Sequence, residues 1–395
     1  MRAVFYVRGF NEPFTEGNVA NVRNIINALT LSGVRSEVLN FKYGSPNPSP
    51  NDTGSLNPHK YEQEFAFIDW ADILHGKNKT PRLLASLLES CASLRFLPIE
   101  RRIETIDSCV TNVVNCFRLP RAVLKRLFSS PAIIHIYMRS VDNPTLLRTA
   151  ADMYDGIMAS SKTVAHHLEN LCRTKPEVIY PPVNTDIYRP RTNASVRLRP
   201  PKSETVILYM GGLKPTRFPE EIVLDVMRRI VKQIANAQLL VYAPNNSLNI
   251  ARAEEILKKA NQLGLSRHVR VKVSDLPEQV KSEIYNAADI FIFPSYDMST
   301  AIEPPLTILE AMSCGLPVIS NNVSSVPEII EDSSGGTILP FSELSVAQIS
   351  DTIVSLLRNS KLLESMSSQA RLFITETMSL ATSSKKLVEL YQHLM

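Results

Sequence analysis

Two short segments hold the residues whose types and spacing could do chemistry. The first is Ile302-Glu303-Pro304-Pro305-Leu306-Thr307-Ile308-Leu309-Glu310-Ala311-Met312, running on through Ser313-Cys314-Gly315-Leu316-Pro317 to Val318-Ile319-Ser320. Pro304 and Pro305 suit a helix start, and Gly315 followed by Pro317 suits its end before a strand. The backbone amides near Pro305, Leu306 and Thr307 would then point out of the helix unpaired. There they can hold phosphate oxygens by direct bonds and by the positive end of the helix dipole. Glu310, one turn in, is an acceptor suited to a sugar diol that donates two hydrogen bonds. The plain alternative is that Glu303 and Glu310 only favour the helix start electrostatically.

The second segment is Met210-Gly211-Gly212-Leu213-Lys214-Pro215-Thr216-Arg217, directly after an apolar run at 205–209. A sugar–phosphate bond that breaks leaves negative charge on a diphosphate, so cations are needed where that charge grows. Arg217 can grip a diphosphate as a fork, and Lys214 can add a point charge. A solvated loop with two ordinary cations is a fair competing reading for Lys214.

The elements that must position these residues follow from the patterning. Short β-branched or aromatic runs alternate with longer stretches of helical period, which forces parallel strands with covering helices and an α/β fold. Strands are expected at 3–7, 35–41, 73–75, 132–137, 156–159 and 178–180, then again at 205–209, 239–242, 269–273, 290–293, 318–320 and 337–339. A helix is expected over 19–31, where Val22, Ile25, Ile26 and Leu29 keep one face apolar. Residues 43–59 read as a surface loop, and 345–395 as helical.

A length of 395 residues points to two domains, and the prolines at 181, 182, 190, 200 and 201 mark the boundary. The expected division is a first domain over 1–185, a linker over 186–203 and a second domain over 204–379, with the last helix, about 380–395, packing back on the first. Two doubly wound sheets in tandem would set the carboxyl ends of their strands across one cleft, where ligands of such sheets bind.

These residues and their order resemble the GT-B glycosyltransferases, specifically the retaining family 4. The resemblance is carried by 309–320, by Val326-Pro327-Glu328-Ile329-Ile330, Gly335-Gly336 and Leu339-Pro340, and more weakly by Pro181-Pro182-Val183-Asn184-Thr185-Asp186. It implies that Glu310 binds the ribose hydroxyls, that Pro305 to Thr307 meet the donor sugar and phosphates, and that Glu328 lies near the base or ribose. Glu328 could equally be a helix-start charge. Two departures stand out. Ile302, not Glu303, aligns with the family's first Glu, because six residues rather than seven separate the carboxylates; the expectation is that Glu303 still reaches the donor sugar. Gly212 occupies the usual Arg position, with Arg217 at the usual Lys position.

Weaker candidates complete the expected cleft. Gly17, after the first strand, would let backbone approach the donor. His75 and His135 lie near strand ends, where a lone histidine is more often structural. The implied activity is a retaining transfer of a hexosyl-type sugar from a nucleoside diphosphate donor to a hydroxyl of a glycan, lipid or small molecule. The leaving phosphate would help to take the acceptor proton. A sugar-nucleotide epimerase on the same architecture, or a binding protein with weakened catalysis, are the alternatives.

Other classes lose ground on composition and motif. There is no zinc-ligand spacing, Gly-x-Ser-x-Gly, Walker loop or Asp-x-Asp, so no cofactor is expected and the chemistry is expected to be metal-independent. Five cysteines without a Cys-x-x-Cys pair suit a reducing compartment, no stretch reaches membrane-spanning length, and a cytoplasmic location is expected. The net charge of +4 is concentrated at 95–126, which holds seven basic residues against three acidic ones. With its interleaved apolar residues, 95–128 could lie peripherally on anionic lipid at the inner membrane face, or be an ordinary helix with a solvated basic side. Nucleic acid is not expected, because aromatic residues are sparse among those cations, with only Phe96 and Phe117 in 95–126.

Overall fold

The computed structural model describes residues 2–8, 17–41, 103–108, 132–136, 155–171, 173, 175–191, 204–298 and 302–394. The chain forms two units: Met1–Ile179 with Ser384–Met395, and Tyr180–Ser383.

In the first unit, β1 (Arg2–Arg8), α1 (Gly17–Leu31), β2 (Arg35–Phe41), β3 (Ile103–Ser108), β4 (Ala132–Ile136), β5 (Gly156–Ala159), α2 (Lys162–Glu169) and β6 (Glu177–Val178) follow in chain order. The strands are parallel, in the order β2-β1-β3-β4-β5-β6. The apolar stripe of α1 is buried at Val22, Ile25, Ile26 and Leu29. Gly33, at φ 71°, ends the helix by turning the chain so that the Val34 amide reaches the Leu29 carbonyl at 3.1 Å. The start of α2 is capped by Ser161, whose hydroxyl accepts from the Val164 amide at 3.0 Å.

The second unit contains β7 (Thr205–Met210), α3 (Glu220–Gln233), β8 (Ala237–Ala243), α4 (Ser247–Gln262), β9 (Val269–Val273), α5 (Glu278–Asn286) and β10 (Ile290–Phe293). It continues through α6 (Leu306–Ser313), β11 (Val318–Ser320), α7 (Val326–Ser333), β12 (Gly336–Ile338), α8 (Val346–Arg358) and α9 (Ser360–Thr377). Its sheet is again parallel, in the order β12-β11-β10-β7-β8-β9. The strand order therefore reverses between β7 and β10, and the loops leaving these two strands bound the crevice where such sheets take ligands. The core lies between sheet and helices: Val223, Leu224, Met227 and Ile230 of α3 and Ile349, Ile353 and Val354 of α8 pack with Leu239, Val241 and Ile292. Each such side chain contributes about 1.5–3 kcal/mol on burial. Close packing also fixes Gly336, where a Cβ would stand 2.2 Å from the Val318 carbonyl oxygen.

The last helix, α10 (Leu380–Leu394), leaves the second unit and enters the first from Ser384 on. Leu387 and Tyr391 are fully buried there, and the Ser384 and Ser32 hydroxyls are 2.6 Å apart.

Several expectations need correction. The second unit begins at Tyr180, not after a linker over 186–203. Val183 and Tyr188 are buried, and Arg371 donates to the carbonyls of Thr185 at 3.2 Å and Tyr188 at 2.8 Å. The prolines there turn a packed segment, while 192–203 lie outside the described residues. Within the basic stretch, 103–108 forms β3, a strand the sequence reading did not anticipate, paired on both sides to β1 and β4, whereas the residues read as a helix, from Val113 to Phe128, lie outside the described residues. Arg118, Arg121, Lys125 and Arg126, with the strand expected at 73–75 and its His75, lie outside the described residues. Gly17 does not sit in an open loop but forms the first residue of α1.

Candidate active site

The loop after β7 is built from below. Tyr209, fully buried at the end of β7, turns its hydroxyl under the chain and donates to the Gly212 carbonyl at 2.6 Å. A Cβ on Gly211 would stand 2.8 Å from that hydroxyl, so a larger residue there would displace the Tyr209 ring that supports the loop. A Cβ on Gly212 would meet nothing within 4 Å. Asn249, buried near the start of α4, accepts from the Leu213 amide at 2.9 Å, and Arg252 donates to the Leu213 carbonyl at 3.2 Å. The chain then turns, with the amides of Arg217 and Phe218 on the Lys214 carbonyl at 2.8 and 2.9 Å. Lys214 is exposed and its ammonium makes no ion pair among the described residues.

Arg217 is half-buried, and this desolvation lowers its pKa despite the opposing pull of Tyr209, Asp297 and Glu303. It remains a cation, because arginine starts so high. Its Nη1 lies 3.0 Å from the Met298 Sδ. The loop after β10 is tied to the same place, since the Tyr296 amide donates to the Thr216 carbonyl at 2.8 Å. Asp297 therefore stands beside Arg217, a neighbour that sequence reasoning missed although it lies directly past the end of a core strand.

Glu303 is buried at 2% exposure and accepts a hydrogen bond from the Ser324 hydroxyl. The structure thus brings Glu303 to Arg217 despite the shortened spacing. Helix α6 begins three residues later. Pro305 is its N-cap and supplies no side-chain bond, as at the starts of α3, α5 and α7, whereas α4, α8 and α9 are capped by Asn246, Ser345 and Asn359. The amides of Leu306 and Thr307 find no acceptor among the described residues, so this end is left open to an anion.

Glu310 is less free than expected. Its Oε1 accepts from Lys281 at 3.0 Å and its Oε2 from the Tyr285 hydroxyl at 3.0 Å. Both partners come from α5, and each carboxylate oxygen keeps a second lone pair for a ligand. Lys281 also lies 5.5 Å over the Tyr188 ring. Burial, with the Glu310 charge next in importance, raises the Tyr188 and Tyr285 hydroxyls well above the usual tyrosine range, so both remain protonated donors. The pairing across 29 positions with Lys281 leaves no local signal in the sequence.

Glu328 accepts from the Tyr180 hydroxyl at 2.5 Å at the start of α7, so it is at least in part a local anchor. His135 belongs to the first unit, paired within the sheet between Asp107 of β3 and Met158 of β5. It is an in-sheet position, one residue before the end of its strand. Gly17 likewise belongs to the first unit. Among the described residues no group of three or more His, Cys, Asp or Glu is arranged to hold a metal ion, and no helix is long and apolar enough to cross a membrane.

Comparison with known proteins gives this geometry a setting. Residues 190–373 match the family model described as glycosyl transferases group 1. The chain is 27% identical over 215 residues to the D-inositol 3-phosphate glycosyltransferase of Mycobacterium tuberculosis, covering 52% of this chain and 42% of that protein. It thus spans less than half the length of the curated relatives it matches. Among solved structures, sucrose-phosphate synthase from Thermosynechococcus elongatus superposes with a TM-score of 0.74 at 14% identity, over 100% of this chain and 99% of the other. Anabaena HepE in complex with UDP-glucose superposes with a TM-score of 0.69 at 16% identity, over 100% of both chains. At these identities the likeness is one of fold. Residues 190–373 carry the match to glycosyl transferases group 1, and the two parallel sheets give the chain the GT-B glycosyltransferase fold.

Proposed function

We propose that this chain is a retaining glycosyltransferase of family 4, which moves a hexosyl group from a nucleoside diphosphate sugar to an acceptor hydroxyl. The observation that carries the reading is the convergence of half-buried Arg217, buried Glu303 and the uncapped start of α6 at the strand-order reversal. In this reading the diphosphate lies between Arg217 and the amides of Leu306 and Thr307, with Lys214 adding charge from the rim. These groups neutralise the leaving phosphate as the sugar–oxygen bond lengthens, the work a divalent ion would otherwise do. Glu303 accepts from donor sugar hydroxyls, and Glu310 from the ribose through the lone pairs that Lys281 and Tyr285 leave unused. The C–O bond breaks with its electron pair going to the phosphate oxygen. The acceptor oxygen adds to the same face and its proton passes to that phosphate, so the configuration is kept. HepE, of the same fold, holds UDP and UDP-glucose, which makes uridine donors the first choice.

The test is incubation with labelled UDP- and GDP-sugars, reading nucleotide release and the anomeric configuration of the product by NMR. Donor-dependent release with retained configuration is expected. An inverted product, or no release with any donor, contradicts the reading.

The open space at Gly212 yields a further expectation. Gly212→Arg should fold as well as the wild type, because the new side chain meets nothing at its root and the backbone has no positive φ. If the position faces the diphosphate, UDP affinity measured by calorimetry should rise about threefold to tenfold, and the gain should shrink in high salt. An unchanged affinity would place Gly212 away from the phosphates.

A further inference from the structure

Ser324 stands in a left-handed backbone conformation, at φ 54°, just before α7. Serine pays for that conformation through its Cβ, whereas glycine adopts it freely. Its hydroxyl donates to Glu303, the carboxylate that lies 2% exposed beside Arg217. A buried carboxylate needs a donor to hold one orientation, and this one comes from another loop, 21 positions along the chain. The neighbouring Ser325 is also buried, yet its hydroxyl has no hydrogen-bond partner, so Ser324 and not Ser325 supplies the serine donor to Glu303.

We infer that Ser324 is a positioning residue that aims the Glu303 carboxylate at the donor sugar. The inference rests on the transferase reading above and deepens it by assigning a second residue to the sugar end of the site. A glycine here would relax the backbone but remove the hydroxyl that donates to one Glu303 oxygen, and with it one of the contacts that set the direction of the carboxylate. Ser324 touches no reacting atom itself; it acts through Glu303.

Three variants separate this role from simple structural support. Ser324→Ala keeps the strained backbone and loses the hydroxyl, Ser324→Gly loses both, and Ser324→Thr keeps the hydroxyl on a stiffer residue. The expected melting temperature of Ser324→Gly is about 2–4 °C above that of Ser324→Ala. Both should lose about tenfold in kcat with the preferred UDP-sugar, with KM changed less than about threefold and UDP affinity by calorimetry unchanged. Ser324→Thr should keep kcat within about threefold even where it melts lower. Activity would then follow the hydroxyl and not the stability. A Ser324→Gly protein that turns over as fast as wild type, or kcat values that track melting temperature across the set, overturns the inference alone. A wild type that releases no nucleotide from any donor overturns the transferase reading and this inference together.

Discussion

Arg217→Ala is expected to lower kcat for nucleotide-sugar turnover about a thousandfold, which is about 4 kcal/mol of transition-state stabilisation. The magnitude follows from where the guanidinium sits. It is half-buried in the loop after β7, so its attraction for a growing phosphate charge is weakly screened, and that loop is fixed by Tyr209, Asn249 and Arg252 before any ligand arrives. Lys214→Ala should cost less than about tenfold, because its ammonium is exposed and screened by water and salt. Arg217→Lys should recover only part of the activity. Burial that already lowers the guanidinium acts on a lysine that starts far lower, so the residual rate should fall as pH rises through the alkaline range. Steady-state kinetics of the three variants between neutral and alkaline pH check this. Equal losses at Lys214 and Arg217 would count against the placement of the diphosphate.

Glu310→Ala is expected to act twice. Removing the carboxylate leaves Lys281 and the Tyr285 hydroxyl without their acceptor, beside a buried Tyr188 hydroxyl that also feels the Glu310 charge. Breaking a fully buried pair costs about 3–5 kcal/mol. Lys281 keeps 23% side-chain exposure and recovers some hydration, so a loss of about 2–3 kcal/mol in urea unfolding is expected. Donor affinity should fall about tenfold to a hundredfold as well, since two ribose hydroxyls lose their acceptor. Pairing the change with Lys281→Met should restore most of the stability, because the stranded cation is removed, but not the affinity. Recovery of both would make Glu310 a purely structural residue.

The legible parts of the chain were those with local causes. Helix α6 is punctuated by Pro304 and Pro305 before it and by Gly315, at φ 72°, and Pro317 after it, and each of these acts on its own backbone. The runs 269–273 and 290–293 stand out as β-rich segments flanked by turn signals, and both are strands with those bounds. Strand β3 was hidden because Arg101, Arg102, Glu104 and Asp107 make its surroundings read as a charged surface. The segment 180–191 was hidden for the opposite reason. Its prolines look like a linker, and only tertiary contacts such as those of Arg371 reveal that it is packed.

The same distinction holds within the site. Arg217, Glu303 and the amides of Leu306 and Thr307 were visible through residue type and position. Asp297, Lys281, Tyr285 and Ser324 were not, because each acts through a partner between about 20 and 80 positions away or through a backbone angle that no spacing encodes.

The most direct measurement is a crystal structure of the chain soaked with UDP. Diphosphate oxygens are expected within hydrogen-bond distance of the Arg217 guanidinium and of the Leu306 and Thr307 amides, with the ribose on Glu310. UDP bound elsewhere on the second unit, or a saturated crystal in which these groups carry no phosphate, would contradict this placement.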